Sequence, residues 1–296
     1  MTNRAILISA LSLLLSLAGC SPVVRPSLTG VAHVAFYTSD LPGSEDFMED
    51  FLGYGLVASG KVEGSTFKLS QRQFLTLLPV EQTPESLLAW FLLETDDLSA
   101  MARYLRKRGV AVPRSFGKDP LGEKCFFVED PLGRKVGFVE YSPGGRVPSS
   151  LEQNLPSTRI APHMSHVGFE LGEKDFEGAF AFYSDLLGIE ETWRNPKDKP
   201  TTIHLRFPDS GRTLEFLPAY EPLTSRQRAS KDHICLESGN IIPLVDILAQ
   251  RPCPEGCSSA APIIIGKNRR RIANYYLPDG TRIELMDDHT IDEENN

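Results

Sequence analysis

The sequence predicts an α+β chain of two tandem domains, each assembled from two β-α-β-β-β units. Three observations carry this prediction. First, the chain repeats itself: His33-Val-Ala-Phe36 and His166-Val-Gly-Phe169 open matching segments. Second, each half closes alike, with Asp130-Pro-Leu-Gly133 before an apolar run at 136–141 and Leu277-Pro-Asp-Gly280 before another at 283–286. Third, 296 residues with 41% apolar and 24% charged composition suit two ordinary folded domains and exclude disordered, collagen-like and coiled-coil chains. Lys and Arg number 31 against 39 Asp and Glu, a formal −8, so there is no basic surplus to track a phosphate backbone and nucleic acid is not expected as a partner. Five cysteines are too few to staple a chain of this length, so an apolar core must hold it.

The elements follow in order. Residues 1–19 combine a short start carrying Arg4 with an apolar run over 5–18, which has signal-peptide length and is short for a bilayer span. The run ends Leu17-Ala18-Gly19-Cys20, which resembles the lipobox of bacterial lipoproteins. That resemblance implies cleavage before Cys20 and a diacylglycerol on its thiol; an uncleaved anchor or a buried first helix is the competing reading. Loss of the first nineteen residues, Arg4 among them, would leave 277 residues and a formal −9. Ser21 after the cysteine resembles the outer-membrane sorting pattern, so the expected location is the cell envelope, tethered to the outer membrane and facing the periplasm. Each buried acyl methylene contributes about 0.8 kcal/mol, so the folded part need not be amphipathic.

Residues 20–29 read as a tether and 30–142 as the first domain. Its first unit opens on the strand at 33–36 and a helix ending at Gly53; its second opens on 90–94 and a helix over 98–109. Residues 143–162, rich in Ser, Gly and Pro, read as a linker. The second domain, 163–287, repeats the plan: a strand at 166–169, a helix ending at Gly188, a strand at 233–237 and a helix around 242–250. Residues 288–296 form a polar acidic tail, expected to be disordered.

Two β-α-β-β-β units per domain, opening His-Val-x-Phe and closing near Pro-Asp-Gly-x-x-Ile-Glu-Leu, resemble the vicinal oxygen chelate superfamily of glyoxalases, bleomycin-resistance proteins and extradiol dioxygenases. The resemblance implies mixed sheets curled into cups, with one divalent metal held inside a cup by His from the first strand of each unit and Glu from the last strand. In the second half those positions are His166, His233 and Glu284. Two His and one carboxylate leave coordination sites open and suit Fe(II), Mn, Ni, Co or Zn alike. In the first half His33 fills one position, but Trp90 and Gly137 stand in the others, and Glu140, three residues on, points to the opposite face. The first half therefore reads as a degenerate structural domain.

A fourth position bears on the chemistry. In glyoxalases a Glu on the last strand of the first unit completes the set, and Glu215 in Thr213-Leu-Glu-Phe216 matches it, as a fourth ligand or as a base. In extradiol dioxygenases the resemblance calls instead for an acid–base His there and a Tyr ten residues before the closing Glu; here those positions hold Glu215 and Asn274, with Tyr275 and Tyr276 out of register. A hairpin turning at Pro208-Asp-Ser-Gly211 would set His204 opposite Glu215. The run Lys267–Arg271 is the one basic cluster, either a solvated loop or a rim site for an anionic substrate. In an oxidising envelope Cys253 and Cys257, three residues apart, are candidates for a local disulfide, while Cys125 and Cys235 read as buried thiols.

The expectation is thus a lipid-anchored metalloenzyme with one divalent ion in its C-terminal domain, polarising a small oxygen-chelating substrate in an isomerase- or lyase-like reaction. An Fe(II) ring-cleaving dioxygenase and a non-catalytic sequestering module are the alternatives.

Overall fold

In the computed structural model, which describes residues 24–60, 64–255, 257 and 261–293, the chain forms two eight-stranded mixed sheets. The lipobox segment and Cys20 lie outside these residues. The first domain runs β1 (Leu28–Thr38), α1 (Leu41–Asp46, wound on as a π-helix over Phe47–Phe51), β2 (Gly55–Gly60), β3 (Gly64–Lys68), β4 (Phe74–Pro79), β5 (Leu88–Thr95), α2 (Leu98–Lys107), β6 (Gly117–Lys118), β7 (Lys124–Glu129) and β8 (Lys135–Val139). A short α3 (Arg146–Ser149) precedes the second domain. There β9 (His163–Gly172), α4 (Phe176–Phe180, wound on over Ala181–Leu186), β10 (Glu190–Asn195), β11 (Thr202–Arg206) and β12 (Thr213–Ala219) make the first unit. After α5 (Ser225–Ala229) come β13 (His233–Ser238), α6 (Ile242–Leu248), β14 (Ile264–Ile265), β15 (Arg271–Tyr276) and β16 (Arg282–Asp287).

Both sheets share one topology, β2-β3-β4-β1-β5-β8-β7-β6 and β10-β11-β12-β9-β13-β16-β15-β14, so the chain carries the four units its repeats predict. In each, the opening strand pairs parallel with the fourth strand and antiparallel with the fifth, which joins the two units side by side. The β1–β5 ladder slips register three times, and such irregularities bend and twist strands. Helices start where side chains can take the orphan amides: Asp40 accepts from Gly43 at the head of α1, and Asp97 from Ala100 at the head of α2.

Alternation sends one face of every strand inward, and these faces merge into one apolar core that spans both domains, with Phe36, Phe91 and Phe138 from the first and Phe169, Tyr183 and Phe216 from the second. Phe91 stacks on Phe169 at 5.8 Å. Polar ties add direction: Gln73 donates to the Met164 carbonyl at 2.8 Å and accepts from its amide at 3.0 Å, and Tyr104 donates to the Leu186 carbonyl at 2.7 Å.

The opposite face of the first sheet is also filled. Phe74, Leu92, Val139 and Tyr141 pack there with Val147 of α3, so the segment read as a linker closes the first cup. Buried Lys68 donates to the carbonyls of Ser150 and Gln153 in that segment, which solvates its ammonium without a carboxylate.

One expectation is revised. The tail is ordered through residue 293: the Ile291 amide donates to the Arg269 carbonyl at 2.9 Å and Arg269 pairs with Asp292 at 2.8 Å, so the acidic charge that suggested solvation is spent on an arginine. Cys253 and Cys257, the candidates for a local disulfide, are unbonded and half-buried in this structure. Burial pushes the Cys257 thiol up to about 12. Cys125 and Cys235 are buried, as their apolar surroundings predict. Among the described residues no helix is long and apolar enough to cross a membrane.

Candidate metal centre

Strand register places the second domain's polar side chains in two rows on one face of the sheet. The first row crosses β10 to β16 as Trp193, His204, Glu215, Gly168, His233 and Arg282. The next, two residues along each strand and so on the same face, reads Arg206, Thr213, His166, Cys235, Glu284 and Asn274.

At the middle of these rows the ligating atoms of His166, His233 and Glu284 all lie within 4.8 Å of one another, and the three side chains are buried. His166 Nε2 stands 3.3 Å from His233 Nε2 and 3.9 Å from Glu284 Oε1. The backbone builds this cluster. Gly168 is the gap in the first row, and a Cβ there would fall inside the His233 ring, so only glycine lets the imidazole lie across β9. His233 Nδ1–H donates to the Lys231 carbonyl at 2.8 Å, which turns Nε2 toward the other two residues. Burial holds His166 well below its usual range against the pull of Glu215, with His233, His204 and Arg282 adding, so its imidazole is in the neutral, ligating form. Two neutral-capable imidazoles and a carboxylate converging from three strands fit a divalent cation.

Glu215 adjoins the cluster through one oxygen: Oε2 is 3.1 Å from His233 Nε2 and 3.8 Å from His166 Nε2. Its other oxygen accepts from His204 Nε2 at 3.1 Å, in the cross-strand pairing the hairpin predicts. Burial pushes Glu215 up, but the hydrogen bond from His204 and the close imidazoles of His233 and His166 outweigh it and hold the carboxyl well below the usual carboxylate range. Glu215 is thus an ionised carboxylate with one oxygen directed at the cluster.

Two residues at the centre were not foreseen. The guanidinium of Arg282 lies 3.0 Å from His233 Nε2 and 3.5 Å from Glu284 Oε2, and Cys235 sits between His166 and Glu284 in the strand register. Burial first, then the Glu284 charge, pushes the Cys235 thiol well above its usual value. Each stands two residues from a named ligand, Arg282 from Glu284 and Cys235 from His233, so strand alternation was the available signal.

The basic run at 267–271 is not a free rim site. Arg269 pairs with Asp292, Arg270 with Glu237 at 2.6 Å and Arg271 with Asp287 at 3.0 Å, while Lys267 donates to Thr201.

The same rows in the first domain show what replaces each group. His204, Glu215 and His233 become Thr66, Thr76 and Trp90; Arg206, Thr213, Cys235, Glu284 and Asn274 become Lys68, Phe74, Leu92, Gly137 and Phe127. A Cβ on Gly137 would already collide with Leu92 and Phe127. His33 remains, but Thr76 bonds its Nε2 at 2.7 Å and Asp119 its Nδ1 at 3.4 Å, so both nitrogens are engaged by the protein.

The second cup opens into a cavity of about 960 Å³ lined by His166, His204 and Trp193 from the second domain and by Ser70 and Arg72 from the first.

The model of the Glyoxalase/Bleomycin resistance protein/Dioxygenase superfamily matches residues 30–138 and 163–285. Among curated proteins no sequence relative matches. Among solved structures, the chain is similar to the Mn(II)-bound glyoxalase from Novosphingobium aromaticivorans, at 16% identity and a TM-score of 0.66 over 88% of this chain and 83% of that one. It is similar to the 2,3-dioxygenase LapB from Pseudomonas sp. KL28, at 13% identity and a TM-score of 0.68 over 89% and 93%. Homoprotocatechuate 2,3-dioxygenase from Arthrobacter globiformis aligns at 16% identity and a TM-score of 0.63 over 90% and 81%. At these identities the likeness is one of fold.

Proposed function

The chain belongs to the Glyoxalase/Bleomycin resistance protein/Dioxygenase superfamily, and from that premise we propose that it is a metal-dependent enzyme of the isomerase or lyase kind. His166, His233 and Glu284 would hold one divalent ion, which when bound polarises a substrate oxygen and acidifies the adjoining carbon. Glu215 either completes the coordination or accepts the proton from that carbon, and both roles need the ionised form in which it is held. His204 fixes the orientation of Glu215 through Oε1 and leaves Oε2 for the site.

The single observation that carries this reading is the pair Glu215–His204. A ring-cleaving dioxygenase of the kind this chain resembles needs a protonatable His where Glu215 stands, and a second carboxylate beside iron competes for a position that oxygen requires. Asn274 faces Glu284 across β15 and β16 where a Tyr is called for, and Tyr275 turns away to pack on Phe51 at 5.5 Å.

The test is Glu215→Gln in protein purified without chelator. As a base, its loss leaves metal content intact while turnover falls roughly 10²- to 10⁴-fold; as a ligand, its loss weakens metal affinity. Unchanged metal binding together with unchanged turnover, or substantial oxygen uptake with catechols, overturns the reading.

The lipobox ending at Cys20 supports a further part of the proposal: the enzyme works in the envelope, tethered by lipid to the outer membrane and facing the periplasm. Cys20→Ala is then expected to release the chain from membranes or leave the precursor uncleaved. Unaltered mature mass and fractionation count against the anchor.

A further inference from the structure

The chain carries a formal −8, yet the cavity at the second cup is lined by five arginines, Arg72, Arg159, Arg206, Arg212 and Arg270, against three carboxylates, Glu152, Glu237 and Asp288. Pairing sharpens the contrast. Arg270 is neutralised by Glu237 and Arg72 by Glu94. Arg159 spends one nitrogen on the carbonyls of Leu155 and Pro156. Among the described residues neither the Arg206 nor the Arg212 guanidinium has a carboxylate or hydrogen-bonding partner.

Their positions are built, not incidental. Arg206 ends β11 in the row that continues through Thr213 to His166, two strands away, or about 10 Å at the usual strand spacing. Arg212 enters β12 half-buried, with its stem laid on Gly30 of the first domain. Gly30 has a φ of +126°, and a Cβ there would press on the Arg212 side chain, so the first domain makes room for this cation. The first cup supplies an internal control: Lys68 occupies the position of Arg206, and there the linker carbonyls of Ser150 and Gln153 satisfy the charge. In the second cup the equivalent charge is left to the cavity. Arg206 is exposed on the cavity wall, whereas half-buried Arg212 feels only the charge of Glu94, which Arg72 already binds; the forked donors of both suit carboxylate and phosphate oxygens.

We propose that Arg206 and Arg212 form an anion subsite that receives a carboxylate or phosphate group of the substrate while its vicinal oxygens reach the cluster at His166. The substrate class is then a small oxygen-chelating molecule with an anionic group at its far end. This placement of the chelating end rests on the proposed function; the anion subsite does not. The Ser210 hydroxyl, which accepts from the Arg212 amide, lines the same cavity and keeps its own proton to donate.

The experiment titrates metal-free full chain with inorganic phosphate and, separately, malonate, read by calorimetry and by fluorescence of Trp193, which lines the cavity. Saturable binding is expected, weakening with ionic strength. Arg212→Met, which keeps the stem against Gly30, and Arg206→Gln are each expected to weaken it about tenfold or more, the scale of a charge-assisted hydrogen bond. Arg226→Gln, an equal charge change on the exposed face of α5, should leave it within twofold. Preference between phosphate and malonate identifies the anion. Absence of saturable binding, or equal loss in all three variants, overturns the proposal. Metal content measured on the same samples separates the two readings. Anion binding without metal binding in wild type leaves the subsite and removes the proposed function; metal binding without anion binding does the reverse.

Discussion

A single missing side chain decides where His233 can lie. Because a Cβ on Gly168 would occupy the imidazole's place, Gly168→Ala is expected to leave a folded chain, at a cost of about 1–3 kcal/mol for overpacking, that has lost its metal. Circular dichroism with elemental analysis checks this, and a folded variant with full metal content would remove His233 from the ligand set. The residues that sequence motifs mark, His166, His233, Glu284 and Glu215, do come together on one face of one sheet. What the motifs leave out, Arg282 and Cys235, stands two positions from a marked residue on the same strand, and Arg206 stands two from His204. The pattern of two was readable; the contacts that make these neighbours matter were not. Gly168 was in plain view in His166-Val-Gly-Phe169, but its role depends on a ring from β13, sixty-odd residues on, and no local pattern encodes that approach.

At the scale of elements, turn chemistry and periodicity predict strands and helices well, since Pro-Gly turns and two-residue alternation are local properties. Long-range packing is where local reading fails. The segment after β8 has linker composition, yet α3 lies over the first cup because Val147 and the carbonyls of Ser150 and Gln153 complete a site that Lys68 and Phe74 leave open. The basic run before β15 reads as free charge, yet every arginine in it meets a carboxylate brought from elsewhere in the chain. The contrast between cups yields the next expectation. With Thr76 and Asp119 holding both His33 nitrogens and Phe127 filling the place of a carboxylate, the chain should bind one metal and not two. His33→Ala should keep that stoichiometry while costing about 1–3 kcal/mol, because Asp119 is left buried without its imidazole. A stoichiometry near two, or loss of metal on replacing His33, would show that the first cup is a working site.

For the whole molecule, the division of labour between the cups has a thermodynamic consequence. The two sheets do not own separate interiors: Phe91 stacks on Phe169, Gln73 holds both backbone groups of Met164, and Tyr183 of the second domain donates to Asp130 of the first at 2.8 Å. Opening either domain alone would strip apolar surface and buried polar partners from the other, so both should unfold in one transition even though only one carries the proposed metal centre. A ligand that binds the native state and not the unfolded chain stabilises by RT ln(1 + [L]/Kd), about 2.7 kcal/mol at a free concentration one hundred times Kd. For a chain of this size that is a rise in Tm on the order of 5 °C. Because the transition is shared, the rise should appear in near-UV signals from Trp90 in the filled cup as well as from Trp193, which packs on His204 in the second cup. Calorimetry with and without Mn(II) or Zn(II) reads it directly. Two resolved transitions, with only one shifted by metal, would mean that the domains stand apart energetically and that the first cup does not support the second.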